Sequence, residues 1–263
     1  MRSAHGPERR QRMRFGAVEL MISFHRVVLM DIDGTLLQTD GAGRASFSDA
    51  VWAVLGRQDD LADIAFAGAT DLGVLRQILQ KYQLSFHPEL AVRFLAAMEE
   101  ALRHRLNTAR VTVFPGVVEL LDALGRCRDI RLGLLTGNTR VGARAKLEAA
   151  GLWGKFKFGA YGDEHWDRSE LARRAVARSG AKSPRHVWVV GDTPEDVRCA
   201  RAVGARCLCV ATGQFSEAAL WSAGADEVIP SFEGRVAWVL QKLSEHEQHR
   251  ERQPCVDIPT ECN

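Results

Sequence analysis

The sequence predicts an α/β fold, a doubly wound parallel sheet interrupted by a helical insert. From about residue 113 onward, short apolar runs alternate with stretches of helical period, the pattern of strands joined by crossover helices. Residues 40–112 instead carry three successive helical faces. The length of 263 residues accommodates one such core plus a smaller inserted unit.

Taken in order, the first element is the run Val27-Val28-Leu29-Met30-Asp31. An apolar run ending in an acid suits a buried parallel strand that delivers a carboxylate to its carboxyl edge. The three helical faces follow: Phe47, Ala50, Val51, Val54 and Leu55; then Leu72, Leu75, Ile78, Leu79 and Tyr82; then Ala91, Phe94, Leu95, Met98 and Leu102. Pro88 opens the third, a position where proline costs no hydrogen bond. After Pro115-Gly116 comes a helix, then strand 131–135, helix 140–151, strand 156–161, helix 168–179, strand 187–190 and helix 194–203. Strand 205–210, helix 216–223, strand 227–229 and helix 234–243 complete the series. The predicted organisation is a core of residues 25–39 and 113–243, with the 40–112 insert leaving just after the first strand and so placed over its end. Residues 1–24, rich in arginine, and the polar tail 244–263, with Pro254 and Pro259, are expected to be unstructured extensions.

Composition narrows the function classes. A net charge of +2 with basic residues spread along the chain argues against a nucleic-acid partner. No apolar run approaches the roughly 18 residues of a membrane span. The stretch Phe15–Phe24 is broken by Glu19, a poor signal-peptide core. The six cysteines form no C-x-x-C pair and no zinc spacing; Cys207 and Cys209 share one side of a strand, and reduced thiols in the cytoplasm are expected.

Three strand ends and one helical lysine carry candidate chemistry. In Asp31-Ile32-Asp33-Gly34-Thr35-Leu36, two carboxylates two residues apart can serve one reaction centre, one as nucleophile and the other as general acid and base. In Leu134-Leu135-Thr136-Gly137-Asn138, a hydroxyl and exposed N–H groups can hold phosphate oxygens. Lys146 can screen an anionic substrate from the nucleophile. In Gly191-Asp192-Thr193-Pro194-Glu195-Asp196, Asp192 is placed as a Mg²⁺ ligand with Asp196 behind it, and Glu195 is a helix-start acid. Alone, each strand-end motif is also an ordinary strand-to-turn junction and Lys146 a solvated helix lysine; the joint order at successive strand ends is what distinguishes them.

In that order and spacing, residues 25–243 resemble the haloacid dehalogenase-like superfamily, and most closely its phosphoglycolate phosphatase-like branch, which has a Rossmann-like core and a helical cap after the first strand. The resemblance implies Asp31 as the nucleophile that forms an aspartyl-phosphate and Asp33 as general acid/base, its carbonyl also touching Mg²⁺. It further implies Thr136 on the phosphoryl group, supported by Gly137 and Asn138, with Asp192 ligating the metal and Asp196 orienting the shell. Many members of the branch carry a lysine before proline after the next strand. Here Gly162–Leu171 holds no lysine; either Lys146 supplies the charge, the favoured reading, or Arg168 replaces it. Asp163, Glu164 and His165 read as loop-surface polar residues.

The expected activity is therefore a Mg²⁺-dependent phosphatase acting on a small phosphomonoester. The alternatives are a phosphomutase, which keeps both acids, and a non-catalytic binding module. Asp33 argues against a dehalogenase, which has no leaving alcohol to protonate. Gly68-Ala69-Thr70-Asp71 resembles a cap-loop segment of phosphoglycolate phosphatases and hints at a small phosphorylated metabolite; the alternative is that Thr70 or Asp71 caps the helix beginning at Leu72. The sequence leaves the oligomeric state open.

Overall fold

The computed structural model describes residues 26–244; the two predicted extensions, with Cys255 and Cys262, lie outside the described residues apart from Ser244. Alternating apolar residues build the sheet. Strand β1 (Arg26–Met30) sends Val27 and Leu29 to one face and Val28 and Met30 to the other. It pairs in parallel with β4 (Ile130–Leu135) on one side and β6 (Val187–Gly191) on the other. With β5 (Gly159–Ala160), β7 (Arg206–Val210) and β8 (Glu227–Ile229) the order is β5-β4-β1-β6-β7-β8, every pair parallel. Connections run outward in both directions from β1, so the crevice for a ligand opens at the carboxyl ends of β1, β4 and β6.

Helices cover both faces, as the alternation requires. On the Val28 face pack α4 (Val117–Arg126), α5 (Arg140–Ala149) and α9 (Val236–Ser244). On the Val27 face pack α6 (Arg168–Ser179), α7 (Pro194–Ala202) and α8 (Glu217–Ser222). The helices that leave β4 and β6 are started by side-chain caps. Thr139 accepts the Gly142 N–H at the start of α5, and Thr193 and Asp196 form a reciprocal capping box on α7. These caps fix where the strand-end residues point.

Three helices follow β1: α1 (Ala42–Leu55), α2 (Asp71–Lys81) and α3 (Pro88–Leu106). They share a separate apolar cluster centred on Phe47, Leu75, Ile78 and Phe94, from the faces that the periodicity predicts, joined by Leu61 from the α1–α2 loop. Two details differ from the sequence expectation. The strand predicted over 156–161 is reduced to Gly159–Ala160: a 3₁₀ turn occupies Trp153–Lys155, and the Phe158 ring lies over Gly133 of β4, where a Cβ would come within 2.5 Å of it. A small antiparallel pair, β2 (Leu37–Gln38) with β3 (Thr112–Val113), ties together the chain entering and leaving the three helices. Two residues per strand carry too little periodicity to be read in advance.

Candidate active site

Beyond the ends of β1, β4 and β6 lies a cavity of about 490 Å³. Asp31, Asp33, Asn138, Lys146, Arg168 and Asp192 line its sheet side. Asp31 leaves β1 with its N–H still bonded to the Val190 carbonyl at 2.9 Å, which pins it between two strands. Arg168, the first residue of α6, forms an ion pair with Asp31 Oδ2 at 2.9 Å and donates to Asp196 Oδ1 at 2.6 Å and to the Leu135 carbonyl at 3.3 Å. Its Nε is buried without a partner among the described residues. Asp196 is fully engaged, since its Oδ2 accepts both the N–H and the hydroxyl of Thr193. Asp192 Oδ1 accepts the Thr35 hydroxyl at 2.9 Å. Its Oδ2 lies against the backbone of Gly34 and Gly213, where a Cβ would come within 2.2 and 1.8 Å. Gly34 also turns the chain at φ +79°, so glycine is required there twice over.

Asp33 is held differently. Lys146 Nζ lies 2.8 and 2.7 Å from its two carboxylate oxygens, and Asn138 Nδ2 donates to Oδ2 at 2.7 Å. Lys146 also donates to Asn138 Oδ1 at 2.7 Å, while Asn138 Nδ2 reaches Thr136 Oγ1 at 2.9 Å. Lys146 is thus a buried cation facing a carboxylate that remains 43% exposed to the cavity. The sequence presented Lys146 and Arg168 as alternatives; the fold brings both in, each on a different acid. Thr136 is buried beneath the loop, and its neighbours Gly137 and Asn138 form the cavity wall.

The buried acids crowd one another. Burial first, then the neighbouring Asp196 and Asp31 charges, pushes the Asp192 carboxyl up to about 8. Burial likewise raises Asp31 to about 6, against the lowering pull of Arg168. Burial opposes the charge on Arg168 too, yet Asp196 and Asp31 raise its pKa above the ordinary value. Carboxylate oxygens of Asp31, Asp192 and Asp196 lie within 4.8 Å of one another. One oxygen each of Asp31 and Asp192, and the Asp33 carbonyl, meet no donor among the described residues. Such a set of hard oxygen atoms with surplus negative charge fits a divalent cation of the Mg²⁺ type. Asp196, with both oxygens taken, stands behind it.

The helical insert closes the other side. Gly68–Asp71 lies directly on the strand-end loops: Asp71 N–H donates to the Gly137 carbonyl at 2.7 Å, and Leu72 N–H to that of Gly162 at 3.2 Å. Thr139 N–H returns a bond to Asp71 Oδ2 at 2.7 Å. Thr70 does cap α2, accepting the Gly73 N–H, but its hydroxyl also donates to the Trp166 carbonyl at 3.0 Å. The contact is backbone-close, since a Cβ on Gly137 would come within 2.0 Å of the Ala69 carbonyl oxygen. Burial pushes the Asp71 carboxyl up to about 7. Arg44, Phe47, Phe66, Val74, Met98 and Leu102 complete the helical wall.

Other polar residues have structural roles. Asp163 accepts the Arg140 N–H, Glu164 pairs with Arg178, and His165 accepts the Asp167 N–H; none of the three lines the cavity. Glu195 pairs with Arg198 on α7. Sequence reasoning did not assign Thr35, Thr193, Gly213 or Arg44. The T-x-x-D spacing of Thr193 and Asp196 was a readable signal; for Gly213 and Arg44 the sequence held none.

A family profile described as haloacid dehalogenase-like hydrolase matches residues 28–210. The probable phosphatase IndB of Dickeya dadantii is 30% identical over 224 residues, covering 83% of this chain and 96% of the relative. A phosphoglycolate phosphatase of Synechococcus elongatus is 33% identical over 138 residues, covering 52% of this chain and 62% of its own. Among solved structures, a hydrolase from Pseudomonas syringae superposes with a TM-score of 0.66 at 21% identity, over 82% of this chain and 98% of that one.

Proposed function

The chain belongs to the haloacid dehalogenase-like hydrolases, and from that premise we propose that it is a Mg²⁺-dependent phosphatase that hydrolyses a small phosphomonoester through an aspartyl-phosphate on Asp31. One observation carries the reading: Asp31 and Asp33, two residues apart, share one cavity with Asp192 but have separate cations. The nucleophile and the acid are thereby held in different electrostatic surroundings, which is what two roles require.

Asp31 attacks phosphorus, and the bond to the leaving oxygen breaks as Asp33 delivers its proton to that oxygen. Water then gives a proton to Asp33 and attacks the acyl phosphate, releasing inorganic phosphate, freeing the Asp31 carboxylate and returning Asp33 to its protonated form. Lys146 and Asn138 orient Asp33 toward the cavity. Arg168 bridges Asp31 and Asp196, and Thr136, accepting from Asn138 beneath the loop, supports Gly137 and Asn138 at the cavity wall, where they would meet the phosphoryl group. Asp31, Asp192 and the Asp33 carbonyl would hold Mg²⁺, which when bound neutralises charge on the phosphoryl oxygens. Residues 40–112 act as the cap over a core of 25–39 and 113–243, and the Gly68–Asp71 contacts exclude water from the reacting end. We place the activity in the cytoplasm, a reading supported by the free thiols of Cys127, Cys199, Cys207 and Cys209.

The test is phosphate release from a panel of phosphomonoesters with Mg²⁺, against chelator and against Asp31→Asn. Turnover that needs both the metal and Asp31 is expected. Absence of release from every monoester in the presence of Mg²⁺ refutes the reading.

A further inference from the structure

Arg44, near the start of α1, lines the cavity from the helical side. Its guanidinium donates to the Leu61 carbonyl and, at 3.5 Å, to that of Ile64, and it stacks over the Phe66 ring at 4.3 Å from the centroid. These contacts fix its position without neutralising it. Lys146 and Arg168 each face a carboxylate, whereas among the described residues Arg44 faces none. Apolar Phe47, Phe66, Val74, Met98 and Leu102 share that side of the cavity with Ser46 and with Asp40 and Asp71, neither of which is paired with Arg44. A half-buried cation held only by carbonyls and a ring face is poorly compensated until an anion reaches it, and a guanidinium held in place binds one with little ordering cost.

We propose that Arg44 is a specificity-determining residue that reads a second anionic group, a carboxylate or a second phosphate, on the end of the substrate remote from Asp31. The proposal rests on the phosphatase reading for its chemistry, but its binding content can be tested apart from turnover. The preferred substrates are small phosphomonoesters with negative charge at both ends. Arg168 and the metal site hold the reacting end, and Arg44 holds the other, so the length between anions becomes the selected property.

The probes are 2-phosphoglycolate, a short diol bisphosphate and ethyl phosphate, which has no second anion. The expected result is a kcat/KM ratio for one of the doubly charged probes over ethyl phosphate that is high in the native chain and falls roughly 10- to 150-fold in Arg44→Gln, the worth of a charge-assisted hydrogen bond. Arg44→Lys is expected to recover part of the ratio. Which probe loses more identifies the anion. If all three rates fall in proportion, Arg44 is only a clamp on Leu61 and Ile64, and the proposal is overturned. Calorimetric binding of the same probes to Asp31→Asn, with and without Arg44→Gln, repeats the comparison without catalysis. If the native chain hydrolyses nothing, the phosphatase reading fails, and the binding ratio still decides on Arg44. Equal binding of the doubly anionic probes and ethyl phosphate overturns it.

Discussion

The two walls of the cavity are built on opposite principles. On the sheet wall, Asp31, Asp33, Asp192 and Asp196 are each tied to a named partner, and the two cations are buried between them. The helical wall is mainly apolar; its Asp71 is turned to the Thr139 N–H, and its one cation has only carbonyl oxygens and the Phe66 ring to hold it. The sheet wall is a preorganised electrostatic device whose members fail together. The helical wall is a shape with a single cation in it, where a change should alter selection rather than chemistry.

The largest test of that contrast is Asp31→Asn. Turnover should fall at least about 10⁴-fold, as for loss of a covalent nucleophile, with the fold retained by circular dichroism; a loss below tenfold would show that the sheet wall is not the reacting one. Next is Arg168→Met, which strands two buried carboxylates. It should lower stability by about 3–5 kcal/mol, read by denaturant unfolding, and turnover by a hundredfold or more. Arg168→Lys keeps the charge without the fork and should fall between.

Gly137→Ala probes the seam between the walls. Its Cβ has no room beside the Ala69 carbonyl, so kcat/KM should drop about tenfold with a stability loss of about 1–3 kcal/mol. On the helical wall, Phe66→Leu should change the ranking of phosphomonoesters by only a few-fold. If Phe66→Leu instead matched Arg168→Met in its effect on every substrate, the contrast between the walls would collapse.

The smallest effect is thermal and depends on pH. Asp192, Asp71 and Asp31 have folded-state values near 8, 7 and 6, above the ordinary 3.8. Between pH 4 and these values the folded chain keeps protons that the unfolded chain has lost. Stability of the metal-free protein should therefore fall as pH rises through this window. The melting temperature should drop by several degrees from pH 5.5 to 8.5. Mg²⁺ should raise it more at pH 8.5 than at 5.5, because binding at the lower pH must displace a proton. Asp71→Asn, which keeps an acceptor for the Thr139 N–H, should flatten the upper part of the curve. A metal-free protein whose melting temperature rises over this range would contradict the assigned burial.

The difference between the walls also explains what the sequence could reveal. Acids at the ends of apolar runs are legible because a parallel strand fixes both their burial and their direction, and so Asp31, Asp33 and Asp192 were readable as a set. Which cation meets which acid was not legible. Lys146 sits two turns into α5 and Arg168 opens α6, and only the lateral order of β4 and β5 beside β1 decides their partners. Thr70 was readable as a cap, and it is one. The reach of Asp71 across to Thr139 depends on how the insert folds back, which no local pattern encodes. Arg44 was invisible for the same reason: a lone arginine on a helix is normally solvated, and its setting comes from Leu61, Ile64 and Phe66 arriving later in the chain.

The two-residue pair of β2 and β3 has a consequence for how such a protein can change over generations. Because the chain entering the insert is hydrogen-bonded to the chain leaving it, lengthening, shortening or exchanging α1–α3 leaves the register of the parent sheet undisturbed. Insertions and deletions there fall on a stalk rather than on a load path. A lineage can therefore sample new chambers while inheriting an intact reaction centre.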